Sequence, residues 1–362
     1  MSDTITASTG APTGAPTDAL SDKLTVAAPS HAQRRFVGAA LLVGACVLTT
    51  LMSLGFGAKP VAFGEVIQAF SDYDSSNGDH LIVRELRLPR TIVGLVVGAA
   101  LGVAGAVMQA ITRNPLADPG ILGVNAGASF AVVLAIWLFG ITSVLGLVWF
   151  AFAGAAAASV VVYLLGAAGR GGPTPVRLAL AGAALSALLF ALTRAVTLLD
   201  QATLDQFRFW AVGSLSGRGL DVAQQTALFV GLGLLIAVAI SRPLNALALG
   251  EDAAAALGIK VNTIRIAAAI SIMLLCGSAV AAIGPVGFIG LVIPHATRAW
   301  FGPDQRWLIP ACALAGPAML LFCDSIGRII ARPGEVQVGI MTAAIGGPAF
   351  VIIVRRVRVV RL

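Results

Sequence analysis

Charge is what this sequence has least of. Only 11% of its 362 residues are Asp, Glu, Lys or Arg, against ~25% in an ordinary soluble domain. Apolar residues make up 58% and the mean hydropathy is +0.92. A soluble globule needs a charged, hydrated surface, so a cytosolic enzyme, a secreted disulfide scaffold and a disordered chain are all excluded. Lysine is confined to Lys23, Lys59 and Lys260, so the net charge of +7 rests on arginine. No basic stretch is interleaved with aromatics, and no nucleic-acid partner is expected. Cys46, Cys276, Cys312 and Cys323 lie in apolar runs without a C-x-x-C or Cys/His spacing. They act as small apolar residues, and no metal site is expected. No Gly-Lys pair occurs, so a phosphate-binding P-loop is missing and any ATP that drives this chain is bound elsewhere. Paired catalytic carboxylates, a Ser/His pair and an H-E-x-x-H helix are missing too, which predicts no catalytic residue and no cofactor.

What is present is apolar length. Runs of roughly 20 residues suit membrane-spanning helices rather than the short alternating strands of a barrel. They begin near Phe36, Thr91, Ile121, Val144, Val176, Val222, Thr263, Pro285, Leu308 and Val336. Arg34 and Arg35 before the first run place the N-terminus in the cytoplasm. An even number of spans keeps the cluster Arg355–Arg361 on the same side, with most of the basic residues. The expectation is an all-α polytopic protein of the lipid bilayer with about ten transmembrane helices and both termini cytoplasmic. Residues 1–33, rich in Thr, Ala, Ser, Pro and Gly, read as a disordered cytoplasmic tail. Residues 34–358 form the transmembrane domain. Gly94, Gly98, Gly102 and Gly105 share one helix face, where small residues let backbones approach where lipid gives no hydrophobic drive.

The loop 241–263 carries a second signal. Glu251 and Asp252 suit the positive end of a short helix, Ala253–Ala256 propagate it, and Gly258 can end it in the left-handed conformation. Leu244, Leu247, Leu249 and Leu257 add apolar surface. The segment is either an ordinary loop or a docking helix for a cytoplasmic partner. Arg84, Arg87 and Arg90 before the second span, with Arg328 and Arg332 at the end of the ninth, run against the positive-inside bias. They are either solvated, with Asp324 and Arg328 pairing at i,i+4, or a docking surface for an acidic partner. Within the spans only Arg194 and Asp324 are charged candidates, and His31, His80 and His295 form no relay. A gradient-driven carrier would need embedded carboxylates or histidines.

Taken in order, these segments resemble the permease subunits of ABC importers for ferric siderophores, haem and cobalamin, the FecCD family. The resemblance spans roughly 36–358. It is carried by Arg87-Leu-Pro-Arg90, Gly105-Ala-Val-Met-Gln109, Asn114 through Val124, Trp210 through Leu215, Leu249 through Gly258, Gly290 through Arg298, and Asp324 through Gly339. It implies a type II importer architecture. Two such permeases, identical or paralogous, flank a central path, with two cytoplasmic ATP-binding subunits beneath and an extracytoplasmic substrate-binding protein above. It also assigns residues. Gly250, Glu251, Asp252, Ala253, Leu257 and Gly258 match the ATPase-coupling helix. Arg87, Arg90 and Arg328 match the arginines that receive the binding protein, and Leu199–Phe209 match a short gating helix. The family pattern commonly has an arginine or serine where this chain has Ala253–Ala256, which leaves individual contacts there open. The cargo implied is a ferric siderophore, with haem or cobalamin as alternatives within the family and a gradient-driven secondary transporter as the alternative from another class.

Overall fold

The structure, a computed structural model, describes residues 31–168 and 174–356. Every regular element among them is helical. The chain runs through α1 (His31–Gly55), α2 (Phe63–Ser71) and α3 (Gly78–Leu81), which continues through a π-helical turn, Ile82–Arg87, into α4 (Leu88–Thr112). A 3₁₀ turn, Pro119–Leu122, leads to α5 (Val124–Phe139), α6 (Val144–Ala167), α7 (Pro175–Leu199) and α8 (Gln201–Ala211). Then follow α9 (Leu220–Ala239), α10 (Ser241–Ala248), α11 (Glu251–Ala256), α12 (Val261–Ile283), α13 (Ile289–Phe301), α14 (Gln305–Ile330) and α15 (Val338–Arg356). Helix α1 already begins at His31, inside the last three residues of the expected tail. The rest of that tail, 1–30, lies outside the described residues.

Seven helical segments are long and apolar enough to cross a membrane: 32–55, 78–112, 144–167, 176–199, 220–239, 261–283 and 305–330. The other three expected runs are occupied by α5, α13 and α15, of 16, 13 and 19 residues. The shorter two start inside the bundle. Gly123, just before α5, packs beside Leu185 near the middle of α7. Gly290, at the start of α13, lies against Leu101 and Gly105 of α4. Local chemistry sets the boundaries. Ser143, Thr174 and Asp304 accept hydrogen bonds from the backbone N–H groups of Gly146, Arg177 and Arg306 and so cap α6, α7 and α14. Such side chains satisfy donors that the first helical turn leaves unpaired.

Helix α4 is the axis of the packing, enclosed by α14, α12, α13 and α9. Its glycine face makes this possible. A Cβ added at Gly98 would fall 2.5 Å from backbone atoms of Pro317, at Gly102 2.5 Å from the Cys312 carbonyl, and at Gly105 2.0 Å from the Gly290 carbonyl. No side chain fits these gaps, so the backbones of α4, α13 and α14 are in direct contact, as small-residue packing in lipid requires. Pro294 inside α13 removes the N–H that would bond the Gly290 carbonyl. The Gln109 amide from α4 stands in for it, donating to the carbonyls of Gly290 (3.5 Å) and Leu291 (3.2 Å). Helix α7, in contrast, leaves Val176, Leu180, Leu188, Leu198 and Leu199 exposed.

Candidate functional site

At one end of the bundle the chain leaves α9 and forms the α10–α11 hairpin. Leu244 and Leu247 are buried beneath α10, whereas Leu249 and Leu257 stay 72% and 65% exposed. The apolar surface expected for this loop therefore divides into a pair that anchors it and a pair left open. Asn245 fixes α10 to the start of α14: its amide donates to Asp304 (2.6 Å) and its carbonyl accepts from the Gln305 N–H (2.8 Å). Gly250, with φ +119°, makes the corner between α10 and α11, and Gly258, with φ +79°, ends the turn as expected. The six-residue α11 is held by Glu251. Its carboxylate accepts from Arg113 (3.1 Å), the left-handed residue that terminates α4, and from Arg265 (2.5 Å) in the first turns of α12. Asp252, in contrast, is exposed and forms no ion pair among the described residues. Sequence reasoning assigned both acids to the helix dipole. The tie from Glu251 to Arg113 and Arg265 escaped it because those arginines are 138 and 14 residues away.

The opposite end holds the three arginines that the resemblance matches to the binding-protein contact, and none of them is openly exposed. Arg87, Arg90 and Arg328 are only 5%, 9% and 4% exposed, and each is bonded inside the protein. Arg87 donates to the carbonyls of Leu54 and Gly55 (2.7 Å each) and of Lys59. Arg90 grips Asp324 with Nε at 3.0 Å and Nη2 at 2.6 Å, and Glu335 with Nη1 at 2.8 Å. Arg328 pairs with the same Asp324 at 3.1 Å, the expected i,i+4 pair, and donates to the carbonyl and hydroxyl of Ser53. Asp324 is wholly buried. The cause is packing: Asp324 and Arg328 sit on the α14 face that α4 covers, and buried charges persist there only because they are paired. Sequence reasoning found Arg328 with Asp324 but missed that Arg90 and Glu335 complete the set.

These arginines border a recess of about 400 Å³ that Lys59, Arg218 and Glu335 also line. Arg218 donates to the Ser214 carbonyl (3.3 Å) and has no carboxylate partner among the described residues, and burial lowers its pKa. Burial opposes ionisation of Glu335. The Arg90 charge and bonds from Ser216 and Arg90 outweigh it, holding the carboxyl below its ordinary range. A second cavity, of about 570 Å³, opens between α7, α8 and the start of α5. Helix α8 occupies the place expected for the gating helix, shifted by two residues. Asp200 caps it through the Thr203 N–H at 2.9 Å. Among the described residues no cluster of His, Cys, Asp and Glu could hold a metal ion.

The pattern of the FecCD transport family matches residues 45–356. The ferric enterobactin transport system permease protein FepD of Escherichia coli (strain K12) is 48% identical over 86% of this chain and 92% of its own. A siderophore transport system permease protein of Bacillus subtilis (strain 168), YfiZ, is 42% identical over 90% and 97%. A solved structure of a metal-chelate type ABC transporter in an inward-facing conformation superimposes with a TM-score of 0.77. It covers 91% of this chain and all of that one at 30% identity.

Proposed function

The chain belongs to the FecCD transport family, and from that membership we propose that it is the membrane-spanning subunit of an ATP-driven importer carrying a ferric siderophore. Its relatives are transport permeases rather than enzymes. The reading places the 34–358 domain in the cytoplasmic membrane beside a second permease, with the α10–α11 end and both termini in the cytoplasm. Two ATP-binding subunits dock beneath. The observation that carries it is the hairpin itself: a short helix clamped through α10, exposing Leu249 and Leu257, and tied by one carboxylate to α4 and α12. Gly250 and Gly258 set its corners, Ala253 and Leu257 give its surface, and Asp252 remains free to meet a cation on the ATPase.

Closure of the ATP-bound pair would move α11, and the bundle would exchange the face to which its path opens. Work enters because the ATPase binds the two states unequally. At the far end, a carboxylate of the extracytoplasmic binding protein enters the arginine recess. Arg218 and the remaining N–H groups of Arg87 are free to receive it, while Arg90 and Arg328 hold the walls. The embedded carboxylate of α14, Asp324, is spent on two arginines, which leaves it unsuited to a proton relay.

The test is uptake of radiolabelled ferric siderophore by proteoliposomes holding the assembled complex. L249E/L257E should abolish ATP-dependent uptake and ATPase co-purification together while leaving the permease folded. Uptake driven by a proton or sodium gradient, with the ATPase subunits left out, would overturn the proposal.

A further inference from the structure

We infer that the cavity between α7 and α8, which the permease reading above puts on the translocation path, selects a chelate of net negative charge; the inference rests on that reading. The wall includes Thr193, Arg194 and Thr197 of α7, Phe207 and Arg208 of α8, and Asn125 of α5. Its charged members are both arginines, and no carboxylate lines it. Arg208 is partly compensated by Asp205 at 3.2 Å and lies over the Phe209 ring. Arg194 forms no ion pair among the described residues. Asp200, the acid nearest to it along the chain, spends its carboxylate on the Thr203 N–H and hydroxyl.

The neutral groups do not change the sign. The hydroxyls of Thr193 and Thr197 donate to carbonyls of their own helix, Leu189 at 2.8 Å and Thr193 at 3.1 Å. Their protons are committed, and of the donors left in the wall, the guanidinium N–H groups, the Asn125 amide and the Ser129 hydroxyl, only the guanidinium groups carry charge. The buried Oδ1 of Asn125 has no partner among the described residues; an amide oxygen only accepts hydrogen bonds, so it offers nothing to an anion, whereas the amide NH2 of the same side chain can donate. An unpaired guanidinium in an apolar spanning helix is expensive unless it faces a water-filled path. Lined by one sign of charge, such a path concentrates anions and repels cations. Ferric iron held by dianionic catecholates or by citrate is net negative, whereas iron held by three monoanionic hydroxamates is neutral. The cavity fits the first group.

The experiment uses the full complex in proteoliposomes, with ferric tris-catecholate, ferric dicitrate and neutral ferric tris-hydroxamate as probes. Ser129→Cys, in the same wall, is labelled in parallel with anionic and cationic thiol reagents of equal size. Wild type should take up at least one anionic chelate and not the neutral one, and the anionic reagent should label faster. R194Q should cut anionic uptake and the labelling preference by about fivefold, what one water-screened charge contact is worth, and R194K should restore both. Equal uptake of neutral and anionic chelates, or a labelling preference unmoved by R194Q, would overturn this inference alone. Failure of wild type to move any chelate with ATP would overturn the permease reading, and this one with it.

Discussion

Asp324→Asn should cost the protein a substantial part of its stability, because this carboxylate serves two buried guanidinium groups at once. Arg90 contacts it at 2.6 and 3.0 Å and Arg328 at 3.1 Å, and the carboxylate itself is wholly buried. Breaking a buried pair by removing one partner costs about 3–5 kcal/mol, because the other charge stays buried without compensation. Here two charges are orphaned, which argues for the upper end. Glu335 still holds Arg90 at 2.8 Å, and the recess beside Arg90 and Arg328 can admit water, which argues for the lower. The balance is about 3 kcal/mol, more than a hundredfold in the folded-to-unfolded ratio at about 1.4 kcal/mol per decade. Reversible unfolding in mixed micelles of mild detergent and dodecyl sulfate measures it. Arg90→Met with Asp324→Leu, Arg328→Leu and Glu335→Gln removes all four charges of the set, and should recover most of the loss, since apolar replacements of buried ion sets are often neutral or stabilising. A D324N variant within about 0.5 kcal/mol of wild type would refute the claim that these charges depend on each other.

Two further outcomes follow from the packing and the titration. Gly105→Ala places a Cβ 2.0 Å from the Gly290 carbonyl and should destabilise the bundle by about 1–3 kcal/mol through overpacking; Gly44→Ala, which meets nothing within 4 Å, is the matched control in the same unfolding assay. Glu335 has a depressed pKa, because the Arg90 charge and the Ser216 and Arg90 bonds outweigh burial. Its stabilising contribution is therefore present above the ordinary Glu value of ~4.3 and is lost as pH falls through the lower folded-state value. The stability difference between wild type and E335Q should be constant from neutral pH down to about 5 and then shrink; a difference that grows on acidification would contradict the sign.

Membrane class, helical content and the position of each apolar run were legible because lipid imposes one rule on every residue of a span, and a composition can obey or break it. The glycine face of α4 was legible for a related reason: helical spacing alone puts Gly94, Gly98, Gly102 and Gly105 in one row. What covers that row was not. Gly105 meets Gly290 and Gly98 meets Pro317 across nearly two hundred residues or more of chain, and no local pattern encodes the pairing. The broken helices show the same limit. A prolyl residue at 294 signals a missing donor, but only the fold reveals that Gln109 supplies the replacement. Candidate residues divided along this line. Gly258 was readable because positive φ is a property of one residue, whereas the corner that Gly250 makes was not read. Glu251 was readable as an N-terminal acid, but its ties to Arg113 and Arg265 were not, because those arginines arrive from other helices.

The arginines carry the sharper lesson. Arg87, Arg90 and Arg328 stand out in sequence as positive charge on the unexpected side, and an acidic docking partner explains such charge economically. Inside the chain, Asp324 pairs with both Arg90 and Arg328 and Glu335 with Arg90, while Arg87 is bonded to backbone carbonyls. Charge bias read from loops counts residues, whereas recognition depends on the donors left over once internal bonds are made. By that measure the donors left over at this end lie with Arg218 in the recess and with the exposed Arg84 and Arg332, whereas Arg90 and Arg328 are spent inside the chain. The same accounting applied to α7 selects Arg194, a cation with no internal acceptor beside a cavity without carboxylates. A charge that the fold leaves unspent is the more informative one. It is kept at a cost in a membrane helix, and only a group from outside the chain can offset that cost.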